Sequence, residues 1–296
     1  IEEIVLFGHN NVPRKTHGDI GKVSYVAPKA SEDYIDHLEG TIDSTLGGLR
    51  ILVDCANGAA SATAARLFDR FSKLRTDVIN ADPDGVNINE KCGSTHMDAL
   101  AAMVRAGGYD IGIAFDGDAD RLMAVDERGS LINGDQVMAM LAVYLKGQGR
   151  LRQNTIVATI MSNMGLDIAM KKHGIRVEKT KVGDRYVLEK MLADGFVLGG
   201  EQSGHVILLD HNTTGDGLVT AVQVISAMVK AQRPLSRLSS VMQIMPQSQY
   251  AANVSDSRKY DFDKNEKIMA MIRQLEEKYK DKGRLVIRAS GTEPRV

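Results

Sequence analysis

Strand-like and helix-like segments alternate along most of this chain, and that alternation restricts its fold more than any other property. Residues 50–55 (RILVDC) form a short apolar run ended by the turn Asn57-Gly58, which is a strand pattern. An Ala-rich stretch at 61–71 and an apolar repeat of helical period at 97–106 predict helices. Strands are predicted at 110–115 and 121–126, then a helix at 136–145. A second round follows, with strands at 155–160, 176–181, 196–199 and 206–209 and helices at 166–172, 185–193 and 217–230. This order argues for α/β domains with mixed sheets. Breaks at 147–154 (GQGRLRQN) and 231–240 (AQRPLSRLSS) divide the chain, and the second opens a region with strands and one long charged helix, 264–280. The first 30 residues read as a short helix, a polar stretch and one strand.

With 296 residues and 43% apolar content, the chain has room for two or three domains with sizeable cores. A net charge of −1 lacks the basic excess that a nucleic-acid or membrane-surface protein needs. No apolar run reaches the roughly 18 residues of a membrane span. The two cysteines, Cys55 and Cys92, make no disulfide framework, and a cytoplasmic location is expected.

The stretch IAFDGDADRLMAVDERG, residues 113–129, sets Asp116, Asp118 and Asp120 on alternate positions directly after an apolar strand. Alternate residues of extended backbone point the same way, so the three carboxylates converge. Like charges that close repel unless a proton or a cation joins them. Three hard oxygen ligands suit Mg²⁺, with other coordination positions left to water or a phosphate. Gly117 and Ala119 leave the backbone room to curl. The spacing of Asp116, Asp118, Asp120 and Glu127 also fits an EF-hand loop, but Arg121 occupies the glycine position and the flanks are strands. A phosphatase using the first aspartate as nucleophile is the other rival.

Two more loops carry chemistry. LGGEQSGHVILL (198–209) places Glu201, Ser203 and His205 between two strands. Such groups suit the hydroxyls and amine of a sugar, and Glu201 could pair with an ammonium. RLVIRASGTEPRV (284–296) has a strand delivering Arg288, a Ser290-Gly291-Thr292 turn, and Arg295 behind it. Guanidinium groups and backbone donors make a phosphate cradle. TKVGDRYV (180–187) sets Lys181, Asp184 and Arg185 around a glycine turn, a weaker phosphate signal.

Taken together, FDGDADR, GEQSGH and RASGTEP resemble the metal, sugar and phosphate loops of the α-D-phosphohexomutase superfamily. DGVNINEKCGSTH (84–96) is similar to a segment of its bacterial glucosamine branch. The resemblance implies α/β domains around a cleft and a smaller α+β domain at the C-terminus. Residues 1–29 would be a remnant of domain 1, 30–134 domain 2, 135–244 domain 3 and 245–296 part of domain 4. It implies interconversion of glucosamine 6-phosphate and glucosamine 1-phosphate through a phosphoserine and a bisphosphorylated intermediate. Mg²⁺ would sit on Asp116, Asp118 and Asp120, with Arg121 as phosphate-side helper. Substrate contacts would be Lys181, Asp184, Arg185, Glu201, Ser203, His205, Arg288, Ser290, Gly291, Thr292 and Arg295. The partner would be a small phosphosugar, with a homodimer as the assembly and no nucleic acid or membrane. In this family the phosphoserine lies in a Ser-His-Asn-Pro-like loop, and residues 1–296 contain none; GHNNVP at 8–13 lacks the serine. The chain alone is therefore expected to be inactive. The competing readings are a non-catalytic fragment that holds Mg²⁺ and sugar phosphate, and a related phosphoglucomutase or phosphomannomutase.

Overall fold

Uniformly apolar segments become central strands here, because helices cover both faces of a strand in a sheet of parallel pairs. The computed structural model describes residues 15–21, 26–43, 45–255, 259–280, 283–290 and 294–296. Its first sheet contains β1 (Arg50–Asp54), β2 (Arg75–Ile79), β3 (Ile111–Phe115), β4 (Leu122–Asp126) and β5 (Leu131–Ile132), in the order β2-β1-β3-β4-β5. β1 runs parallel to β2 and β3, while β4 is antiparallel to β3 and β5 to β4. The second sheet contains β6 (Thr155–Thr159), β7 (Arg176–Thr180), β8 (Leu198–Gly200) and β9 (Val206–Leu208), ordered β7-β6-β8-β9. Here too the first strand is parallel to its two neighbours and the last is antiparallel. The two sheets thus repeat one plan, and the α/β class with mixed sheets is what the chain adopts.

The helices are α1 (Ala27–Gly40), α2 (Ala64–Asp69), α3 (Asp98–Gly107), α4 (Gly134–Gly147), α5 (Met164–Lys172), α6 (Asp184–Asp194), α7 (Gly217–Ala231), α8 (Leu235–Ser239) and α9 (Glu266–Tyr279). The nearly all-apolar α7 is buried from Gly217 to Met228 because it packs on β4 of one sheet and β9 of the other. Its start is fixed by Asp216, which accepts the Val219 N–H at 2.9 Å in an N-cap. One continuous apolar core therefore runs from Ile113 and Phe115 through Leu218 and Ile225 to Leu198 and Leu166. Each such side chain contributes about 1.5–3 kcal/mol by leaving water.

Two expectations differ from this structure. The predicted helix at 61–71 is broken into a 3₁₀ turn (Ala59–Ala62) and α2, because Thr63 leaves helical geometry and the Ala59 N–H is drawn to Gly117 O at 2.8 Å. The expected strand delivering Arg288 joins no ladder: residues 283–290 pair with no described strand. Of the first 30 residues, where a short helix, a polar stretch and one strand are expected, 1–14 and 22–25 lie outside the described residues, GHNNVP at 8–13 among them. Among the described residues no helix is long and apolar enough to cross a membrane.

Candidate functional site

The aspartate loop joins β3 to β4, and the Glu201 loop joins β8 to β9, so the two occupy equivalent places in the repeated plan. They also touch. Arg121 and His205 form an antiparallel bridge, and the Leu122 N–H donates to Gly204 O at 3.0 Å. Gly204 has φ +99°, and an added Cβ would stand 2.4 Å from Leu122 O, so the pairing demands glycine. α4 and α7 close the junction: Gly134 N–H donates to Gln202 O at 3.0 Å and Gly217 N–H to Ala119 O at 2.9 Å.

Within the aspartate loop, Ala119 takes a left-handed φ of +62°, which turns the chain back after Asp118. Asp116, Asp118 and Asp120 then offer carboxylate oxygens that all lie within 4.8 Å of one another. Burial, then the charge of Asp120, pushes the Asp116 carboxyl up to about 6. Asp120 Oδ1 is buried with no hydrogen-bond partner. Arg121 lies over the cluster, its Nε 3.5 Å from Asp116 Oδ2 and 3.5 Å from Asp120 Oδ1. A buried oxygen without a hydrogen-bond partner and a carboxyl that resists ionisation mark a place where a hard cation would relieve both. Antiparallel strands flank the loop, which removes the EF-hand reading.

His205, a substrate contact by the family resemblance, is 3% exposed and lies under the aspartate loop. The Gly215 N–H donates to its Nε2 at 3.1 Å, so Nδ1 carries the hydrogen and donates to Asp120 Oδ2 at 3.0 Å. Both ring nitrogens thus have partners within the protein.

Glu201 and Ser203 remain at the open side of their turn, half-buried and exposed respectively. The Gly183 N–H donates to Glu201 Oε1 at 3.1 Å, which brings the 180–185 loop to the same place. Lys181 is exposed, 5.9 Å from the Tyr186 ring, and Asp184 begins α6. Arg185 Nε pairs with Glu189 along its own helix at 2.8 Å. A cleft of about 470 Å³ lies between Gln202 and residues 244–247, with Asn163 in its wall. At the C-terminus Ser290 N–H donates to Arg295 O at 2.8 Å, and Arg295 pairs with Asn253. Arg288 has its described bond to Ala289 O, while Gly291 and Thr292 lie outside the described residues.

Sequence reasoning missed how the 84–96 segment is placed. It lies on the aspartate loop: a Cβ on Gly117 would stand 2.7 Å from Ile88 Cδ1 and 2.9 Å from Asn89 Nδ2. Buried Asp54 anchors it, accepting the Ala56 N–H at 2.9 Å and the Gly93 N–H at 3.0 Å. The available signal was an aspartate at the end of an apolar strand, directly before a turn.

Three consecutive parts of the chain match one family: "Phosphoglucomutase/phosphomannomutase, alpha/beta/alpha domain II" over residues 32–129, domain III over 133–245, and the C-terminal domain over 251–296. The phosphoglucosamine mutase of Ruminiclostridium cellulolyticum is 52% identical, the match covering 100% of this chain and 66% of that protein. That of Acetivibrio thermocellus is 49% identical with the same coverage, 100% and 66%. The chain thus spans 66% of the length of these relatives. Among solved structures, a phosphoglucomutase/phosphomannomutase family protein from Burkholderia thailandensis superimposes with TM-score 0.67 at 25% identity, over 80% of this chain and 51% of that one. The N-acetylphosphoglucosamine mutase of Aspergillus fumigatus, solved in complex with GlcNAc-6P and magnesium, shares the fold with TM-score 0.72 at 18% identity, over 90% and 65% of the two chains.

Proposed function

This chain belongs to the phosphoglucomutase/phosphomannomutase family, and from that premise we propose that it is part of a phosphoglucosamine mutase, interconverting glucosamine 6-phosphate and glucosamine 1-phosphate. The observation that carries the reading is the bridge between Arg121 and His205, which fastens a three-carboxylate loop to the Glu201 loop. One loop has the chemistry to handle a phosphoryl group and the other to read a sugar. The relatives at 52% and 49% identity support the amino sugar as substrate, and the 84–96 segment packed on Gly117 gives that branch a physical place beside the metal loop.

Asp116, Asp118 and Asp120 would hold Mg²⁺, which when bound draws charge from phosphate oxygens and so eases phosphoryl transfer. Arg121, already over the carboxylates, supplies a second positive charge on the phosphate side. Glu201 accepts hydrogen bonds from sugar hydroxyls or the ammonium, and the Ser203 hydroxyl can donate or accept. Lys181, Asp184 and Arg185 border the same ligand. Arg288, Ser290, Gly291, Thr292 and Arg295 would hold the distal phosphate; the bond from the Ser290 N–H to Arg295 O, which brings two of them together, supports this reading. Residues 30–134, 135–244 and 245–296 are read as domains 2, 3 and the C-terminal domain of this architecture, after a domain 1 remnant at 1–29. The two unpaired, buried cysteines fit a cytoplasmic enzyme, and a homodimer is the proposed assembly.

The test is a coupled assay on the full-length protein, supplied with Mg²⁺ and glucose 1,6-bisphosphate. Glucosamine 6-phosphate should turn over far faster than glucose or mannose 6-phosphate. A preference for either neutral sugar would make the protein a phosphoglucomutase or phosphomannomutase. Phosphosugar binding without turnover would make it a binding protein.

A further inference from the structure

Gly183 stands at φ +127° and ψ +132°, a region that residues with a side chain rarely enter. Space is not the obstacle there. An added Cβ would meet only the Tyr186 ring, at 3.4 Å, an ordinary contact. The conformation is instead what directs the Gly183 N–H at Glu201 Oε1, 3.1 Å away. The main chain of Glu201 is already fixed by its own turn, with its N–H donating to His205 O at 2.9 Å and its O accepting the Gly204 N–H at 3.1 Å. The carboxylate, 18 residues along the chain from Gly183, is thus held by a different loop from the one that holds its backbone. Gly183 also caps α6, so the carboxylate lies at the positive end of that helix. The base of the 180–185 loop is tied to the end of β6 by the Ile160 N–H, which donates to Thr180 O at 2.9 Å.

We propose that Gly183 is a positioning residue for the sugar-reading carboxylate: its glycine-only backbone aims one N–H at Glu201 and sets the carboxylate's orientation before the sugar arrives. The inference rests on the reading of Glu201 as a sugar contact. Orientation fixed in advance spares the ordering that binding would otherwise require.

The experiment uses the full-length protein with Gly183→Ala, Glu201→Gln and the double variant, assayed with glucosamine 6-phosphate, with melting curves and a crystal structure of Gly183→Ala. Loss of a hydrogen bond to a charged group should lower kcat/KM about tenfold in Gly183→Ala, while the strained φ lowers the melting temperature modestly. In the Glu201→Gln background the same substitution should cost less than about twofold, because the pair acts as one unit. A loss of equal size in both backgrounds would overturn the proposal. Should Glu201→Gln turn over normally, the reading of Glu201 as a sugar contact falls, and the crystal structure decides the positioning on its own. A carboxylate turned away from residue 183 supports the inference, and an unmoved one overturns it.

Discussion

His205 Nδ1 donates to Asp120 Oδ2 at 3.0 Å, and that one bond decides which oxygen of Asp120 is left for a ligand. The other oxygen, Oδ1, is buried and has no hydrogen-bond partner. Because the Gly215 N–H occupies Nε2 at 3.1 Å, the ring cannot turn without losing a second bond. A residue of the Glu201 loop thereby orients a carboxylate of the aspartate loop.

Removing that support should show in metal affinity first. His205→Ala should weaken Mg²⁺ binding by about 10–100-fold, the usual effect of losing a group that orients a metal ligand. His205→Asn should recover part of the loss, since its amide can donate to Asp120 and accept from Gly215. Calorimetric titration of the three proteins with Mg²⁺ is the measurement. Equal affinities would mean that Asp120 needs no orientation from His205.

The raised carboxyl of Asp116 gives a pH dependence with a definite sign. Its ordinary value is 3.8, and burial followed by the Asp120 charge lifts it to about 6. A group whose folded value is raised stabilises the fold fully below its unfolded value, and that contribution is lost as pH rises through the folded one. The metal-free protein therefore loses this increment between 3.8 and about 6. A cation among the carboxylates offsets the loss, so the melting-temperature gain on adding Mg²⁺ should grow from about pH 5 to about pH 7. Thermal melts in Mg²⁺ and in EDTA at both pH values measure it. A gain that shrinks with rising pH would contradict the site.

Much of this was legible because the chemistry is concentrated locally. β1 and β3 are apolar from face to face, and the three aspartates occupy one turn directly after β3. β2, with the sequence RTDVI, was not legible, because it is an edge strand whose residues are mostly part-exposed. α1 escaped for a related reason: it buries little more than Ile35 and Leu38, and its outer face carries Glu32, Asp36 and Glu39 paired to Arg66 and Arg70. The bond from His205 to Asp120 joins positions 85 apart, through two loops that meet only when two sheets dock. No local pattern records such a contact, and a histidine beside Gly204 in sequence looks the same whether it faces a sugar or a carboxylate.

The docking of those loops should be intolerant of a single methyl group. A Cβ on Gly134 would stand 2.1 Å from Glu201 O and 2.6 Å from Gly204 N, both backbone atoms that cannot swing aside. Gly134→Ala should therefore push the start of α4 away from the Glu201 turn and cost about 1–3 kcal/mol. That corresponds to a fall in melting temperature of about 2–4 °C per kcal/mol for a domain of this size class. Activity should fall further than stability, because the displaced turn carries Glu201 and Ser203. An active variant with an unchanged melting temperature would show that the turn has slack.

The most demanding test concerns Asn163, whose side chain does the work of a peptide group. Its Oδ1 accepts the Gly165 N–H and the Met245 N–H, each at 2.9 Å, and its Nδ2 donates to Met245 O at 2.9 Å and Gln247 Oε1 at 3.0 Å. Its own N–H donates to buried Asp135 Oδ2 at 2.7 Å. The same amide thus caps α5 and pairs with Met245 as a neighbouring strand would. The domain III match ends at residue 245 and the C-terminal match begins at 251, so this amide holds the chain where one domain passes to the next. Asn163→Ala removes all four side-chain bonds at once, for an expected loss of about 2–4 kcal/mol. The loss should be local before it is global. Hydrogen exchange at the Met245 amide should accelerate strongly, while the amides of β6 keep their relative protection. If the C-terminal segment carries the phosphate contacts assigned to it, the KM for glucosamine 6-phosphate in the full-length enzyme should rise together with that exchange rate. Faster exchange with an unchanged KM would separate the anchor from the substrate site, and unchanged exchange at Met245 would show that the segment is held by something other than Asn163.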